Sequence, residues 1–168
     1  GRVKTVKTTA AGKELIVGLH GPGEFFGYLP LLQHTPHSDS AIAVDESELR
    51  YIPKEDFTAL LRNPAVGRQF VRRLAGQVSG QAEQLLALAY NSIRRRVADT
   101  LVQLHEQAGA TSPDAAIQLT RDDMAALVGT APESLSRTLN EFKHDGLIEL
   151  TPNTIRVLAA EKLRRAHW

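Results

Sequence analysis

Residues 119–150 read LTRDDMAALVGTAPESLSRTLNEFKHDGLIEL and decide the fold. Thr120 begins a helix in the manner of a capping box, in which Asp123 replaces the usual Glu or Gln. Gly129-Thr130-Ala131 then forms a tight turn. Pro132 suits the first turn of a second helix, because its missing N–H would be unpaired there anyway. Two helices joined by a short turn that contains glycine predict a helix-turn-helix.

A short hairpin is predicted directly after the second helix, which ends at Asp145-Gly146. Two strands, Leu147–Leu150 and Thr154–Leu158, are joined by Thr151-Pro152-Asn153, and a last helix spans Ala160–Ala166. A hairpin in this place makes the helix-turn-helix a winged one.

The second helix is polar on one side and apolar on the other. Its apolar side, which we expect to be buried, holds Leu135, Leu139 and Phe142. The polar side would lie in the major groove of DNA, where arginine can bond guanine O6 and N7 and glutamate can accept from the cytosine amino group. The candidate base contacts are Glu133, Ser136, Arg137 and Asn140.

Polar residues around the turn are candidates for phosphate contact, because the free N–H groups that begin a helix attract anions. These candidates are Thr120, Arg121, Thr130 and Lys143. An alternative for Glu133 and Arg137 is an exposed salt bridge worth about a few tenths of a kcal/mol. Such a pair could also hold both side chains in position when DNA is absent.

A long helix is predicted from Val66 to about Tyr90. Apolar residues recur in it at alternating spacings of three and four, the heptad pattern of a helix that packs on a partner helix. The predicted dimer seam is Val71, Leu74, Val78, Gln81, Leu85 and Leu88. The alternative is an amphipathic helix that packs on its own domain.

Residues 1–53 are predicted to form short β-strands with glycine and proline turns, as in a sandwich or barrel. The strands include 2–8, 15–19, 41–44 and 49–52, with a hairpin turn at 11–13. Roughly five strands in so few residues make a thin core. We therefore expect that an N-terminal part of this domain is missing from the chain.

Composition excludes several function classes. The chain of 168 residues has no cysteine, so disulfides, thiolate zinc sites and cysteine-held iron–sulfur clusters are excluded within it. No apolar run is long enough to span a membrane, and a cytoplasmic location is expected. The net charge is only +1, so DNA binding would need basic groups clustered in space, as they are in sequence at Arg94-Arg95-Arg96 and Arg164-Arg165.

The sequence resembles the Crp/Fnr family of bacterial transcription regulators over nearly its whole length. The resemblance is strongest at residues 119–150, and SIRRRVADTLVQL (92–104) and GKELIVGLHGPGEFFG (12–27) also fit. It implies an α+β fold, with a truncated cyclic-nucleotide-binding-like β jelly roll, a long dimerisation helix and a C-terminal winged helix-turn-helix. The implied domains are residues 1–64, 65–90 and 91–168.

The resemblance also implies a function. The chain would be a sequence-specific regulator that binds double-stranded DNA as a homodimer, with RNA polymerase as a further partner and no enzymatic activity. Residues 132–137 read Pro-Glu-Ser-Leu-Ser-Arg and resemble the fumarate–nitrate regulator branch, whose half-sites are TTGAT-like. Half-sites read by two subunits lie one helical turn apart, roughly 34–36 Å.

The resemblance does not identify the effector. Cyclic-nucleotide-binding members carry a glutamate where this chain has Tyr28 and an Arg-Ser near His37-Ser38, and both departures argue against a cyclic nucleotide. The expected effector pocket holds Gly27, Tyr28, His37 and Ser38. Haem is another option, with the candidate ligands His20, His34 and His37, which could equally be plain loop histidines.

Two further readings remain. One is a ligand-sensing, haem-sensing or protein-interaction module whose winged helix does not bind DNA, and the neutral net charge favours it. The other is a haem or small-molecule sensor that binds DNA only when it is liganded. An enzyme would rest on the Ser, His and Asp that occur together in residues 37–40. Adjacency in sequence is not the geometry of a catalytic triad, and no nucleophile elbow surrounds these residues.

Overall fold

The computed structural model describes residues 1–109, 116–152 and 154–166. They form two compact units. The first contains residues 1–5 and 18–89, and the second contains residues 6–17 and the described residues of 90–168. The division at Tyr90 lies beside the expected boundary between residues 90 and 91. The assignment of residues 65–90 as a dimerisation helix separate from the other two domains stays a prediction.

The N-terminal region contains three strands and three helices. The strands β1 (Val3–Thr8), β2 (Glu14–His20) and β3 (Ser40–Ala43) form one sheet in the order β2-β1-β3. Gly12, with a φ of 78°, makes the predicted turn between β1 and β2. The helices are α1 (Leu29–Gln33), α2 (Lys54–Arg62) and α3 (Pro64–Tyr90).

The predicted strand at residues 49–52 is wrong. These residues form no strand, and Leu49 and Tyr51 are exposed. In the sheet that the described residues build, β3 pairs with β1, and no further strand lies beside residues 49–52. Apolar content alone does not make a strand, because backbone N–H and C=O groups need a partner to pair with.

Within the first unit, three aromatic side chains pack the segment before α1 and helix α2 on α3. The Tyr28 and Phe70 rings meet edge to face at 5.1 Å, and Phe57 of α2 meets Phe70 in the same way at 5.6 Å. Edge-to-face pairs of this kind add to the stabilisation from buried apolar area. The segment before α1 and helix α2 are therefore both packed on one side of α3.

The second unit is the predicted winged helix-turn-helix. Its helices are α4 (Ile93–Gly109), α5 (Arg121–Val128), α6 (Pro132–His144) and α7 (Ala160–Arg165). Strands β4 (Ile148–Leu150) and β5 (Ile155–Val157) form the wing, antiparallel with Ile148 opposite Val157. The wing turn includes Asn153, which lies outside the described residues. The α+β class is confirmed.

The core of this unit lies beneath α6. Leu135, Leu139 and Phe142 are almost fully buried, as predicted, and they meet apolar side chains from the neighbouring helices. Val97 and Leu101 of α4 and Met124 of α5 are buried as well. Because one side of α6 is held so firmly, its opposite side has a fixed direction. Among the described residues, no helix is both long and apolar enough to cross a membrane.

Candidate nucleic-acid interface

Helix α6 exposes the four residues predicted to contact bases. Its buried side chains are Leu135, Thr138, Leu139 and Phe142. The exposed set recurs at spacings of three and four, which places it on the other side of a helix with 3.6 residues per turn. That set is Glu133, Ser136, Arg137 and Asn140, and all four are exposed.

The turn before α6 leaves backbone donors available. Gly129 ends α5 in the left-handed region with a φ of 72°, which glycine adopts without strain, and its N–H donates to Ala125 O. Ala131 precedes α6 and provides no side-chain cap. The first N–H groups of α6 are thus uncapped at the positive end of the helix dipole, as an anion site needs.

The phosphate candidates have different environments. Thr120 caps α5, since its Oγ1 accepts from the Asp123 N–H at 3.0 Å, and its own hydroxyl proton can still be donated. Lys143 is exposed near the end of α6, and Thr130 is half-buried in the turn. These three side chains all lie on the helix-turn-helix itself.

Arg121 is engaged with the wing. Its Nη2 donates to Thr151 O at 2.9 Å, and burial lowers the pKa of the guanidinium below its ordinary value. Its Nη1 is buried and has no hydrogen-bond partner among the described residues. This side chain therefore holds the wing turn, and its predicted phosphate contact stays a prediction.

Three consecutive arginines at the start of α4 are bound within the unit instead of forming the suggested basic patch. Arg95 Nη1 donates to the carbonyl oxygens of Arg164 and Ala166, at 2.9 and 3.2 Å. Arg96 Nη1 donates to Gly129 O at 3.3 Å. Both guanidinium groups thus satisfy carbonyl oxygens at or near the ends of other helices.

Arg94 pairs with two carboxylates. Its Nη1 donates to Glu141 Oε2 at 2.8 Å and its Nη2 to Asp145 Oδ2 at 2.9 Å. Its guanidinium also lies 5.3 Å from the centre of the Phe142 ring. Arg94 thereby joins the first turn of α4 to the last turn of α6.

Arg137 differs from every other arginine in the described part of this unit. Arg164 pairs with Glu106 and Glu161, and Arg156 with Glu149. The remaining arginines also form hydrogen bonds or ion pairs with protein groups (Arg94, Arg95, Arg96, Arg121 and Arg165). Within the described residues Arg137 has no hydrogen bond or ion pair, and it makes none with Glu133, so the alternative of a salt bridge between them is not present.

Helix α3 keeps the predicted dimer seam exposed. No residue of this 27-residue helix is buried, and Val71, Val78 and Leu85 are 63%, 66% and 67% exposed. Leu74 is half-buried, and Gln81 and Leu88 are exposed. The seam therefore does not serve as a core within its own chain.

The expected effector pocket is only partly assembled. A side chain at Gly27, whose φ is 75°, would meet the His37 ring at 3.7 Å, so these two residues are adjacent. His37 and Ser38 are exposed. Tyr28 is only 6% exposed, packs on Phe70, and donates its hydroxyl to Gln77 Oε1 on α3. The role of these four residues in effector binding stays a prediction.

The candidate haem ligands have protein contacts of their own. His20 Nε2 lies 3.1 Å from Thr5 Oγ1, and burial lowers the pKa of His20 although Glu24 opposes that shift. His34 ends α1 in the left-handed region, with a φ of 54°. Among the described residues, no group of three or more His, Asp or Glu side chains is placed to hold a metal ion.

Comparisons with known proteins cover the chain from end to end. Residues 1–63 match a family model described as "Cyclic nucleotide-binding domain", and residues 95–166 match one described as "Crp-like helix-turn-helix domain". The chain is 35% identical over 164 residues to the "Cyclic AMP receptor protein" of Thermus thermophilus, covering 97% of the chain and 74% of that protein.

A further relative and a solved structure also match the chain. The "Transcriptional activator protein anr" of Pseudomonas aeruginosa is 27% identical, over 97% of the chain and 68% of its own length. The structure of FixK2 from Bradyrhizobium japonicum matches with a TM-score of 0.85 at 22% identity, covering 98% of the chain and 82% of FixK2, which is a likeness of fold. The matched ranges agree with the predicted β-rich domain followed by a winged helix-turn-helix.

Proposed function

This chain belongs to the Crp/Fnr family of transcription regulators, and from that premise we propose that it binds palindromic duplex DNA as a homodimer. Its relatives are transcription regulators and not enzymes. The observation that carries the proposal is Arg137, the arginine without a protein partner in the described second unit, on the exposed side of α6. A partnerless guanidinium on a rigid helix is available for the base edges of DNA.

Each subunit would read a TTGAT-like half-site with α6 in the major groove. Arg137 would bond guanine O6 and N7, and Glu133 would accept from the amino group of the paired cytosine. Ser136 would contact the neighbouring base, and Asn140 a base or a phosphate. Because Glu133 and Arg137 are not paired with each other, neither has to give up an ion pair on binding.

Phosphate contacts would fix the position of α6 in the groove. The uncapped N–H groups at its start, Thr130 and Lys143 lie beside the proposed reading face, and Thr120 lies one helix earlier. Arg121 would contribute through the wing that it holds. DNA as the target implies action in the cytoplasm, and RNA polymerase is the protein partner proposed from the family.

The dimer would form along α3. Exposed apolar side chains at heptad spacing gain stability when a second copy covers them, and polar Gln81 would help to fix the register. A twofold dimer presents two identical reading helices, which is why the site should be a palindrome with half-sites roughly 34–36 Å apart.

Titration of a labelled TTGAT-palindrome duplex tests this function. The Arg137→Ala variant should lose about 1–3 kcal/mol of binding free energy and relax specificity at one base pair. Binding of the target duplex by the unchanged protein should also weaken as salt is raised. Arg72→Ala, which removes the same charge from an exposed site on α3 outside the seam, is the matched control and should bind normally. Equal affinity of the unchanged protein for target and scrambled duplex would contradict the proposal.

We further propose that a cyclic nucleotide is not the effector, although the Thermus thermophilus relative is named a cyclic AMP receptor. Tyr28, in place of the family's glutamate, is buried against Phe70 and bonded to Gln77, so it offers no carboxylate to a ribose. Isothermal titration of the full chain with cyclic AMP should give no binding heat, with that relative as positive control. Saturable binding, or a cyclic AMP-dependent gain in DNA affinity, would overturn this proposal.

A further inference from the structure

We infer that Arg94 is a positioning residue for DNA recognition, which shields two carboxylates of the reading helix from the DNA phosphates. The inference rests on the proposed function. The ion pairs from Arg94 to Glu141 and Asp145 are 2.8 and 2.9 Å long and join α4 to the C-terminal half of α6.

The two carboxylates lie beside the proposed base-reading side chains. Glu141 is one helical turn after Arg137, and the same shallow surface depression is lined by Arg94, Arg137, Asn140, Glu141, His144 and Asp145. A duplex seated on Arg137 and Asn140 would bring its phosphates close to this depression. Without a counter-ion, Glu141 and Asp145 would repel them.

The cluster of Arg94, Glu141 and Asp145 contributes little to folding stability. The side chains of Arg94, Glu141 and Asp145 are 34%, 44% and 44% exposed, and ion pairs this exposed contribute little to the free energy of folding. Their location beside Arg137 gives the cluster a second role. It carries one cation and two anions, so loss of Arg94 would change its net charge from −1 to −2.

An arginine is the side chain that this geometry requires. Its rigid fork supplies separate donors to two carboxylates, while its face lies over the Phe142 ring. A lysine would keep the charge as a single point and could not reproduce both contacts together with the ring stacking. Among the described residues, Arg94 is the one arginine or lysine paired with these carboxylates.

DNA titration of the full chain with four variants tests the inference. Arg94→Ala should bind both target and scrambled duplex more weakly, and this loss of affinity should shrink as salt is raised, because salt screens the repulsion between the exposed carboxylates and the phosphates. The triple variant Arg94→Ala, Glu141→Gln, Asp145→Asn should restore affinity, because no carboxylates remain to be shielded. Arg94→Lys should lie between Arg94→Ala and the unchanged protein.

The fourth variant is Glu141→Gln with Asp145→Asn, which should bind DNA at least as tightly as the unchanged protein. A loss of affinity in this variant overturns the inference even if Arg94→Ala fails to fold. Arg2→Ala is the matched control, since Arg2 makes a similarly exposed ion pair with Asp45 in the other unit.

Two other outcomes also overturn the inference: Arg94→Ala binding like the unchanged protein, or a triple variant as weak as Arg94→Ala, which would mean a role in folding alone. Failure of the proposed function would look different, because the unchanged protein would then not prefer the target duplex. In that case the inference falls with it.

Discussion

Single residues decide where helix α6 begins and which way its polar side faces. Thr120 caps α5, Gly129 ends it with a positive φ, and Pro132 begins α6. Each of these roles depends on a backbone preference of the residue itself, so each can be predicted from the sequence. The exposed face of α6 follows from the same local rules, because helical periodicity needs no knowledge of the rest of the chain.

The cap at Thr120 gives a stability prediction. Thr120→Ala removes the side-chain acceptor of the Asp123 N–H and should lower the free energy of unfolding by about 1 kcal/mol. Thr120→Ser keeps the acceptor and serves as the control, with little change expected. Urea unfolding followed by circular dichroism measures both, and equal midpoints for Thr120→Ala and the unchanged protein would refute the role of the cap.

Other residue contacts could not be predicted from the sequence. Arg94 meets Glu141 across 47 positions, and Tyr28 meets Gln77 across 49. No local period links such distant positions, so the sequence does not show which groups the arginines contact. Three neighbouring arginines therefore suggested a basic patch. The structure pairs those arginines with acids and carbonyl groups that only the fold brings near.

At the level of elements, helix α3 carries two adjacent stripes. Phe70, Arg73 and Gln77 contact Tyr28 or Glu24 from the segment before α1. The seam residues Val71, Leu74 and Val78 follow at neighbouring positions, about 100° around the helix. The heptad spacing predicted the seam, whereas the first stripe was not predicted, because its partners lie in a loop without any period.

The seam supplies a prediction for this element. Val78→Asp would bring a carboxylate from each copy into an apolar contact, where burying an unpaired charge is costly. Sedimentation velocity should therefore find a dimer for the unchanged protein and a monomer for the variant. Ser79→Asp places the same charge on the same exposed helix outside the seam and should remain a dimer. A dimeric Val78→Asp variant would rule out this seam.

The strand predicted at residues 49–52 is an element that composition predicted and the structure does not contain. Strand pairing is a property of two segments, so a favourable composition in one segment does not establish it. Helices α3, α5, α6 and α7 were predicted correctly because each closes its own hydrogen bonds. The hairpin of β1 and β2 was predicted from its turn, whereas the long-range pairing of β3 with β1 was beyond the reach of such patterns.

For the whole molecule, the net charge of +1 and the pairing of the arginines together indicate how the protein would be attracted to DNA. Seven of the eight arginines in the described second unit form a hydrogen bond or an ion pair with the protein's own groups. Their charge is balanced by nearby acids or used to satisfy carbonyl oxygens at or near the ends of elements. Attraction to DNA would then depend on a few groups at the reading helix and not on a broad positive field.

This use of the arginines affects how such a regulator would search a genome. Non-specific binding to DNA is driven almost entirely by positive charge on the protein surface, and the net charge of this molecule is only +1. Most copies would stay in free diffusion instead of being held along the chromosome, so a small number of molecules per cell could suffice to keep the operators occupied.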